Sequence, residues 1–260
     1  MGFRYGKKPP RRLMGVPALS DFMAPAASWP AVKPWGWEYA LPDGDLNILG
    51  NDVVGNCGPC GALHLLQTQA ASLKNQILTP TLEDALALYS AVGGYDPNAP
   101  LNPDGSNPTD QGVDLLTLLQ YWKNTGITVG GVKHTIRGFA SLDLSSVAQM
   151  RYAGYLFGGL YLGINCPQSA EDDTSDWQYV PGSPVAGGHC INLAGEGSLG
   201  THIQSWGMNI PTSWDFLLHQ LDEGYVVLTG IWVDAQDEAP SGVDINGLLA
   251  AMSRIGATGG

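Results

Sequence analysis

The first half of this sequence has helical patterns, and strand-like patterns appear only in the second half. Apolar residues recur at helical spacing in three early segments, at residues 56–73, 82–89 and 115–122. Later in the chain, two helical segments, 145–157 and 213–221, alternate with four strand-like runs at 159–165, 189–194, 202–206 and 225–229. Helices that precede an antiparallel sheet in this way predict an α+β fold.

Two segments without such a pattern flank this region. Residues 1–45 are rich in proline and tryptophan and show no sustained period, so we predict an extended N-terminal arm. Its expected docking points on the body are Trp29, Trp35 and Trp37. Residues 46–235 form the predicted domain, and residues 236–260 form a mixed polar tail.

Charge is distributed unevenly along the chain. The first twelve residues contain no acidic side chain and five basic ones, Arg4, Lys7, Lys8, Arg11 and Arg12. The remaining residues carry seven basic and 24 acidic side chains, a net charge of about −17. A body with that charge repels phosphate backbones, which argues against nucleic-acid binding. The basic arm, residues 1–12, is expected either to contact an anionic surface or to remain solvated.

The sequence also bears on location and partners. No segment approaches the roughly 20 apolar residues of a membrane span. The apolar run after the basic residues is broken by Gly15 and Pro17, whereas a signal peptide needs a continuous run of about 7–15 apolar residues. We therefore expect a cytoplasmic or virion-associated protein. Glycine-rich ends such as residues 256–260 fray unless something holds them, and we expect protein partners in a multi-subunit assembly to do so.

One cysteine and one histidine lie where nucleophilic catalysis needs them. A cysteine attacks as the thiolate, which helix N-termini and a neighbouring imidazolium favour. Cys57 stands where the first helix begins, and Pro59 is tolerated in a first helical turn. His189 follows two glycines and opens a strand-like run. A hairpin would bring Gln204, on the next strand, beside His189, so we expect Gln204 to orient the imidazole.

Four segments together resemble one enzyme family. Residues 55–60, Gly-Asn-Cys-Gly-Pro-Cys, are similar to the Gly-x-Cys-Gly-x-Cys segment that opens the central helix of papain-like cysteine peptidases. His189, in a strand leading to Gly-Glu-Gly at 195–197, is similar to the family's histidine strand. Residues 204–207, Gln-Ser-Trp-Gly, resemble its Asn-Ser-Trp-Gly motif, and the strand at 224–228 resembles its closing Gly-Tyr strand. The resemblance implies a two-lobed fold with the helical lobe first, and acyl transfer on a peptide, isopeptide or ester.

The resemblance also implies an amide donor six residues before the nucleophile, where it binds the oxyanion. Six residues before Cys60 is Val54, which has no donor, whereas six before Cys57 is Asn51, which has one. Because losing an oxyanion donor costs about 3 kcal/mol in the transition state, we predict Cys57 as the nucleophile. Cys60 remains the alternative, since direct alignment of the two cysteines favours it. Trp206 is expected to shield the contact between His189 and Gln204 from water.

Other functions fit some of the same residues. A segment at 50–57, Gly-Asn-Asp-x-x-Gly-x-Cys, also resembles papain-like proteins of bacteria and phages. Gln204 and Asn51 both depart from the family pattern, so a catalytically silent structural or scaffolding protein of a viral or phage particle is the alternative function.

The Cys-Gly-Pro-Cys tetrad is shared with thioredoxin-type disulfide oxidoreductases, which are the third candidate. Those proteins place it after a hydrophobic strand, and here glycines interrupt the preceding residues. A zinc site is disfavoured because His189 and Cys190, as strand neighbours, point to opposite faces. We predict neither a metal nor another cofactor. The other histidines and Cys166 are expected to be structural: His64, His134, His202 and His219.

Overall fold

The computed structural model describes residues 3–11, 15–24, 31–42, 44–198, 200–235 and 243–253. The helices in these residues are α1 (Cys57–Lys74), α2 (Leu82–Gly93), α3 (Leu115–Asn124), α4 (Val147–Phe157), α5 (Gln168–Asp172), α6 (Trp214–Gln220), α7 (Gly230–Ala235) and α8 (Ile245–Ser253). The strands are β1 (Trp35–Gly36), β2 (Ile127–Val129), β3 (Val132–His134), β4 (Ile136–Ser141), β5 (Leu160–Pro167), β6 (Val185–Gly197), β7 (Gly200–Ser205), β8 (Met208–Thr212) and β9 (Leu221–Thr229). None of the described helices is long and apolar enough to cross a membrane.

Helix α1 is the central element of the fold. Residues 57–71 are all buried, and a helix that is covered on every side must be surrounded by other elements. Polar side chains on the helix are therefore bonded inside the protein. Gln69 donates to the Phe157 carbonyl at 2.8 Å and accepts from the Thr229 hydroxyl at 2.6 Å. The helix ends at Asn75, which adopts a left-handed conformation with φ of 50°.

The other early helices begin at well-formed caps. Thr81 and Asp84 form a reciprocal capping box at the start of α2, and Asp114 accepts a hydrogen bond from the Thr117 backbone at the start of α3. The apolar residues that predicted α3, including Leu118 and Trp122, are buried. The three helices predicted in the first half of the sequence are confirmed.

A seven-stranded antiparallel sheet follows these helices. Its order is β4-β9-β5-β6-β7-β8, and β1 pairs with β6 beside this path. The four predicted strands correspond to β5, β6, β7 and β9, and the predicted α+β fold is confirmed. The alternating pattern does not predict β8, because Pro211 interrupts this strand. Proline is tolerated there because β8 is an edge strand.

The described parts of the arm and tail contribute to the core. Leu19 is fully buried, Trp35 is buried, and Trp37 donates its ring N–H to the Gly154 carbonyl at 2.9 Å. In the tail, α8 buries Leu248 and Met252. Docking of Trp35 and Trp37 is thus confirmed, whereas Trp29, Arg12 and residues 256–260 lie outside the described residues. The domain boundaries at 45 and 235 remain predictions.

Candidate active site

The turn before α1 fixes where Cys57 lies. The Gly55 N–H donates to the Asp110 carboxylate at 2.9 Å, and Asp110 also accepts from the Tyr89 hydroxyl at 2.6 Å. The side chain of Asn56 donates to the Leu49 carbonyl at 2.8 Å. These bonds hold the entry of the helix from both sides, so Cys57 occupies the first position of α1.

The Cys57 thiol is almost completely buried, with 1% of the residue exposed. Burial raises the pKa of this thiol above its usual value. Backbone hydrogen bonds from Cys190, Gly6 and Gly58 act in the opposite direction, as does the positive charge of Lys7. The surroundings therefore already contain N–H groups that favour a thiolate, but exclusion of water dominates and keeps the thiol protonated.

Cys60 lies in a different environment, one turn further along α1. Its thiol is 3.8 Å from both the Ile48 and the Leu49 carbonyl oxygens, to which it donates. Burial, and then the nearby Cys57, raise its pKa well above the usual value. A thiol that faces carbonyl oxygens is stabilised in its protonated form.

His189 lies on β6, buried beneath aromatic rings. Its Nε2 is 2.7 Å from the Ser205 hydroxyl, and its buried Nδ1 has no hydrogen-bond partner among the described residues. The ring of Trp206 lies 4.6 Å from the imidazole, and the ring of Tyr5 approaches it edge-on at 5.9 Å. The residue before His189, Gly188, accepts a hydrogen bond from Lys7 at 3.0 Å, and Gly6 packs against Gly55, so the arm touches both β6 and the turn before α1.

The side chain next to the imidazole is Ser205 and not Gln204. Gln204 accepts a hydrogen bond from the Thr68 hydroxyl on α1 at 3.1 Å, and its buried Nε2 has no partner among the described residues. Gln204 pairs with Asn192, whose side chain donates to the Gly61 carbonyl of α1. Both residues thus face the helix. Successive residues of a strand point to opposite faces, so Ser205 faces His189. The structure does not bring Gln204 to the imidazole.

Asn51 donates its side-chain N–H to a carbonyl of the N-terminal arm. Its Nδ2 lies 3.2 Å from the Arg4 carbonyl oxygen and 3.1 Å from that of Val54. The Arg4 N–H donates in return to the Asn51 carbonyl at 3.1 Å. The amide expected to bind a developing oxyanion is thus already bonded to the carbonyl of a peptide.

Residues 3–8 of the arm lie over Cys57 as an extended chain. Lys7 forms a parallel bridge with Val113, in which the Lys8 N–H donates to the Val113 carbonyl at 2.9 Å. On the other side, the Lys7 N–H donates to the Gly188 carbonyl at 3.0 Å. A Cβ at Gly6 would overlap the Gly55 carbonyl oxygen. Main-chain bonds and close packing therefore hold the arm in a narrow cleft.

Side chains of the arm anchor it along the same cleft. Phe3 stacks on Trp206 with ring centroids 4.0 Å apart, and the Tyr5 hydroxyl donates to Glu171 at 2.9 Å. Lys7 pairs with Asp222 at 2.9 Å, and Arg11 pairs with Asp114 at 3.0 Å. These two basic residues of the arm thus contact acidic groups of the same chain.

The buried imidazoles predict a pH-dependent stability. Burial lowers the pKa of His189 to about 3 and that of His64 to about 4, whereas an unfolded histidine titrates near 6.5. Below pH 6.5 the unfolded chain binds protons that the folded protein excludes, so the free energy of unfolding decreases as the pH falls. Each histidine is expected to contribute about 2 kcal/mol to the decrease between pH 7 and pH 5. Urea unfolding of His64→Gln and His189→Gln at both pH values measures this contribution, because each variant should lose less stability between pH 7 and pH 5 than the unaltered chain. A variant that loses as much stability as the unaltered chain would contradict burial of the neutral imidazole.

The described residues contain no group of three or more His, Cys, Asp or Glu side chains that could hold a metal ion. All four cysteines are free thiols in the structure. The site therefore consists of a buried thiol, a buried imidazole, a hydroxyl and an amide donor, arranged around a segment of peptide.

Comparison with solved structures identifies this arrangement of elements. Xylellain, a cysteine protease from Xylella fastidiosa, is 10% identical, with a TM-score of 0.66 over 87% of this chain and 96% of that one. ProCathepsin B S9 from Trypanosoma congolense is 10% identical, with a TM-score of 0.57 over 87% of this chain and 86% of its own. Procathepsin L 3 from Tenebrio molitor larval midgut is 12% identical, with a TM-score of 0.54 over 82% and 76%. This chain has the papain-like fold.

No protein-family model and no curated protein matches the sequence. The papain-like fold is thus recognised from the structure and from short motifs. Four residues of this cleft are predicted from the sequence, Asn51, Cys57, His189 and Trp206, whereas the roles of Ser205 and residues 3–8 are not. Ser205 follows only from the register of β6 and β7, because Asn192, which pairs with Gln204, lies on the opposite face of β6 from His189. The run of basic residues in an acidic protein was the available signal for the arm.

Proposed function

We propose that the chain is a papain-like cysteine hydrolase whose cleft is closed by residues 3–8 of its own arm. The observation that carries this proposal is the peptide main chain seated over Cys57. It is bonded to Val113 on one side and to Gly188, next to His189, on the other. A cleft that binds an extended peptide against a thiol and an imidazole suits acyl transfer. Xylellain is named a cysteine protease and two other structural neighbours are named procathepsins, which supports the assignment.

The mechanism uses the groups that surround the arm. His189 takes the thiol proton on Nδ1, the nitrogen left without a partner. The Cys57 sulfur then bonds to the substrate carbonyl carbon. The resulting oxyanion accepts hydrogen bonds from the Asn51 amide and the Cys57 backbone N–H. His189 returns the proton to the leaving nitrogen or oxygen, and water then hydrolyses the thioester. Ser205 positions the imidazole through Nε2, and Trp206 covers it.

In the closed state both reactive groups are neutral. Burial raises the pKa of Cys57 and lowers that of His189 to about 3, so a thiolate–imidazolium pair is disfavoured. Displacement of the arm lets water reach both groups and leaves Cys57 at the N-terminus of an 18-residue helix. Both changes favour the thiolate. We propose that activity begins when the arm leaves.

The second candidate is a catalytically silent protein of a viral or phage particle, located in the cytoplasm or the virion. Complete burial of Cys57 and His189 under the arm favours it, since a structural protein needs no access to either group. The two candidates differ in the reactivity of the thiol once the arm is removed.

An arm-released chain, carrying Gly6→Ala and Lys7→Ala, distinguishes these candidates. Iodoacetamide labelling is followed by mass spectrometry from pH 5 to 9. If the chain is a hydrolase, Cys57 is labelled rapidly well below pH 8, because its thiolate is stabilised. Cys60, Cys166 and Cys190 serve as internal controls and are expected to react slowly. Equally slow labelling of all four cysteines would support the silent protein.

Ser205 and Gln204 provide a matched pair of variants for the positioning role. In the arm-released chain, Ser205→Ala is expected to lower kcat by about tenfold to a hundredfold, because a freely rotating imidazole spends less time aligned with the thiol. It should also move the acidic limb of the pH–rate profile, and Ser205→Asn should restore part of the rate. Gln204→Leu faces α1 and should leave kcat nearly unchanged. A larger loss of kcat in Gln204→Leu than in Ser205→Ala would reverse the assignment.

A further inference from the structure

The structure assigns a binding pocket for a substrate lysine side chain to Asp222 and Glu223, beside the cleft; this inference rests on the proposed hydrolase function. Lys7 of the arm occupies the pocket in the closed protein. The expected substrate is therefore a peptide that carries a lysine near the carbonyl attacked by Cys57; in the arm, Lys7 follows the carbonyl held by Asn51, that of Arg4, by three residues.

Three oxygen acceptors surround the ammonium group of Lys7, two from the pocket and one from the arm itself. Its Nζ lies 2.9 Å from Asp222 Oδ2, 3.3 Å from Glu223 Oε1 and 3.1 Å from the Lys8 carbonyl oxygen. Only 1% of the Lys7 side chain and 5% of the Glu223 side chain are exposed. The other carboxylate oxygen of Glu223, Oε2, accepts a hydrogen bond from the Tyr225 hydroxyl at 2.9 Å. Glu223 therefore has a support that does not depend on the lysine.

The walls of the pocket fit the lysine stem. A Cβ at Gly163 would lie 2.7 Å from the Lys7 Cδ and Cε atoms and 2.6 Å from Glu223 Cγ, so glycine is what leaves room for the stem. A cavity of about 580 Å³ adjoins the carboxylates and is lined by Leu116, Leu142, Leu144 and Tyr225, among others. The lysine stem thus passes over Gly163, and its ammonium group lies at the carboxylates.

The position of the pocket along the cleft links it to the chemistry. Gly6, the neighbour of Lys7, packs directly against the backbone of Gly55, two residues before Cys57. The Lys7 N–H donates to the Gly188 carbonyl, next to His189. A substrate whose main chain replaces the arm would place a side chain in the same pocket.

An ammonium group suits the pocket better than an apolar group. A norleucine side chain would fill the space beside Gly163 but leave the two carboxylates without a counter-charge, which is unfavourable. The strongly acidic body, with a net charge of about −17 beyond the first twelve residues, also attracts basic peptides.

Peptide binding tests the pocket separately from hydrolysis. The host is the arm-released chain with Cys57→Ala added, and the probes are fluorescent hexapeptides with the sequence of residues 3–8. One carries lysine at its fifth position and the other norleucine. Fluorescence anisotropy is expected to show the lysine peptide binding about tenfold more tightly or better. Asp222→Asn with Glu223→Gln should reduce this ratio to about one, while Glu171→Gln, which touches only the Tyr5 position, should weaken both peptides equally.

Equal binding of the two peptides by the host with an unaltered pocket would overturn the inference. This comparison needs no substitution at Asp222 or Glu223, so it is valid even if those variants do not fold. An unchanged preference for the lysine peptide in the Asp222→Asn/Glu223→Gln chain would also overturn the inference. Selective binding of the lysine peptide by a chain that hydrolyses nothing supports the pocket and contradicts the hydrolase. If the arm-released chain hydrolyses the lysine and norleucine peptides at equal rates, the hydrolase is supported and the lysine pocket is contradicted.

Discussion

Gly6→Ala is expected to raise the rate at which iodoacetamide alkylates Cys57 by about a hundredfold at pH 7. The added methyl group would overlap the Gly55 carbonyl oxygen, and both groups belong to the backbone. Overlap of this kind costs about 3 kcal/mol, which corresponds to about a hundredfold larger population of chains with the arm displaced. Alkylation reports this population because Cys57 reacts only when water and reagent reach it.

Gly197→Ala is the matched control for this substitution. Gly197 has no atom within 4 Å of its added Cβ, so its replacement should leave the alkylation rate unchanged. Intact-mass and peptide mapping assign the label to Cys57. An unchanged rate in Gly6→Ala would contradict the closed cleft, and so would an equal increase in Gly197→Ala.

Cys57→Ala is expected to lower peptide hydrolysis by the arm-released chain by about a thousandfold or more, because it removes the nucleophile of a group of residues that act as a unit. Cys60→Ala should change the rate by no more than about threefold. The Cys60 thiol donates weakly to two carbonyl oxygens and faces no catalytic group. Hydrolysis of the lysine hexapeptide, followed by chromatography, measures both variants, and thermal unfolding confirms that each is folded.

The reverse result would move the nucleophile to Cys60. Loss of hydrolysis in Cys60→Ala with retention in Cys57→Ala would agree with the direct alignment of the two cysteines. It would require the Cys60 side chain to turn away from the Ile48 and Leu49 carbonyls toward the cleft. If both variants still hydrolysed the peptide, neither Cys57 nor Cys60 would be the nucleophile.

The sequence predicted the elements around the site better than the contacts within it. Leu118 and Trp122 lie at helical spacing and are buried in α3, so local periodicity sufficed there. The partner of His189 depends on the register between β6 and β7, in which Gln204 pairs with Asn192 and a shift occurs between Leu193 and Gly195. The resemblance of residues 204–207 to Asn-Ser-Trp-Gly predicts Gln204 beside the imidazole. A difference of one residue in register exchanges the two faces of a strand, and the structure places Ser205 there.

The closed cleft could not be read from local pattern for a different reason. Residues 3–8 have no helical or strand period, and their partners Val113, Gly188 and Asp222 lie more than a hundred residues away in the sequence. Only tertiary folding brings the basic arm to the acidic pocket. The excess of acidic residues in the body predicts that it attracts the basic arm. Charge alone does not predict that Lys7 enters a pocket beside Cys57.

Detection of the covalent intermediate tests the pairing of Cys57 with His189 most directly. The arm-released chain is mixed with p-nitrophenyl acetate, quenched in acid within the first turnover, and mapped by mass spectrometry. The predicted result is a burst of p-nitrophenolate and an acetyl group on Cys57, with both lost in Cys57→Ala and strongly slowed in His189→Ala. A chain that shows no burst, or that carries the acetyl group on another residue at the same rate in both variants, would contradict the proposed catalytic pair.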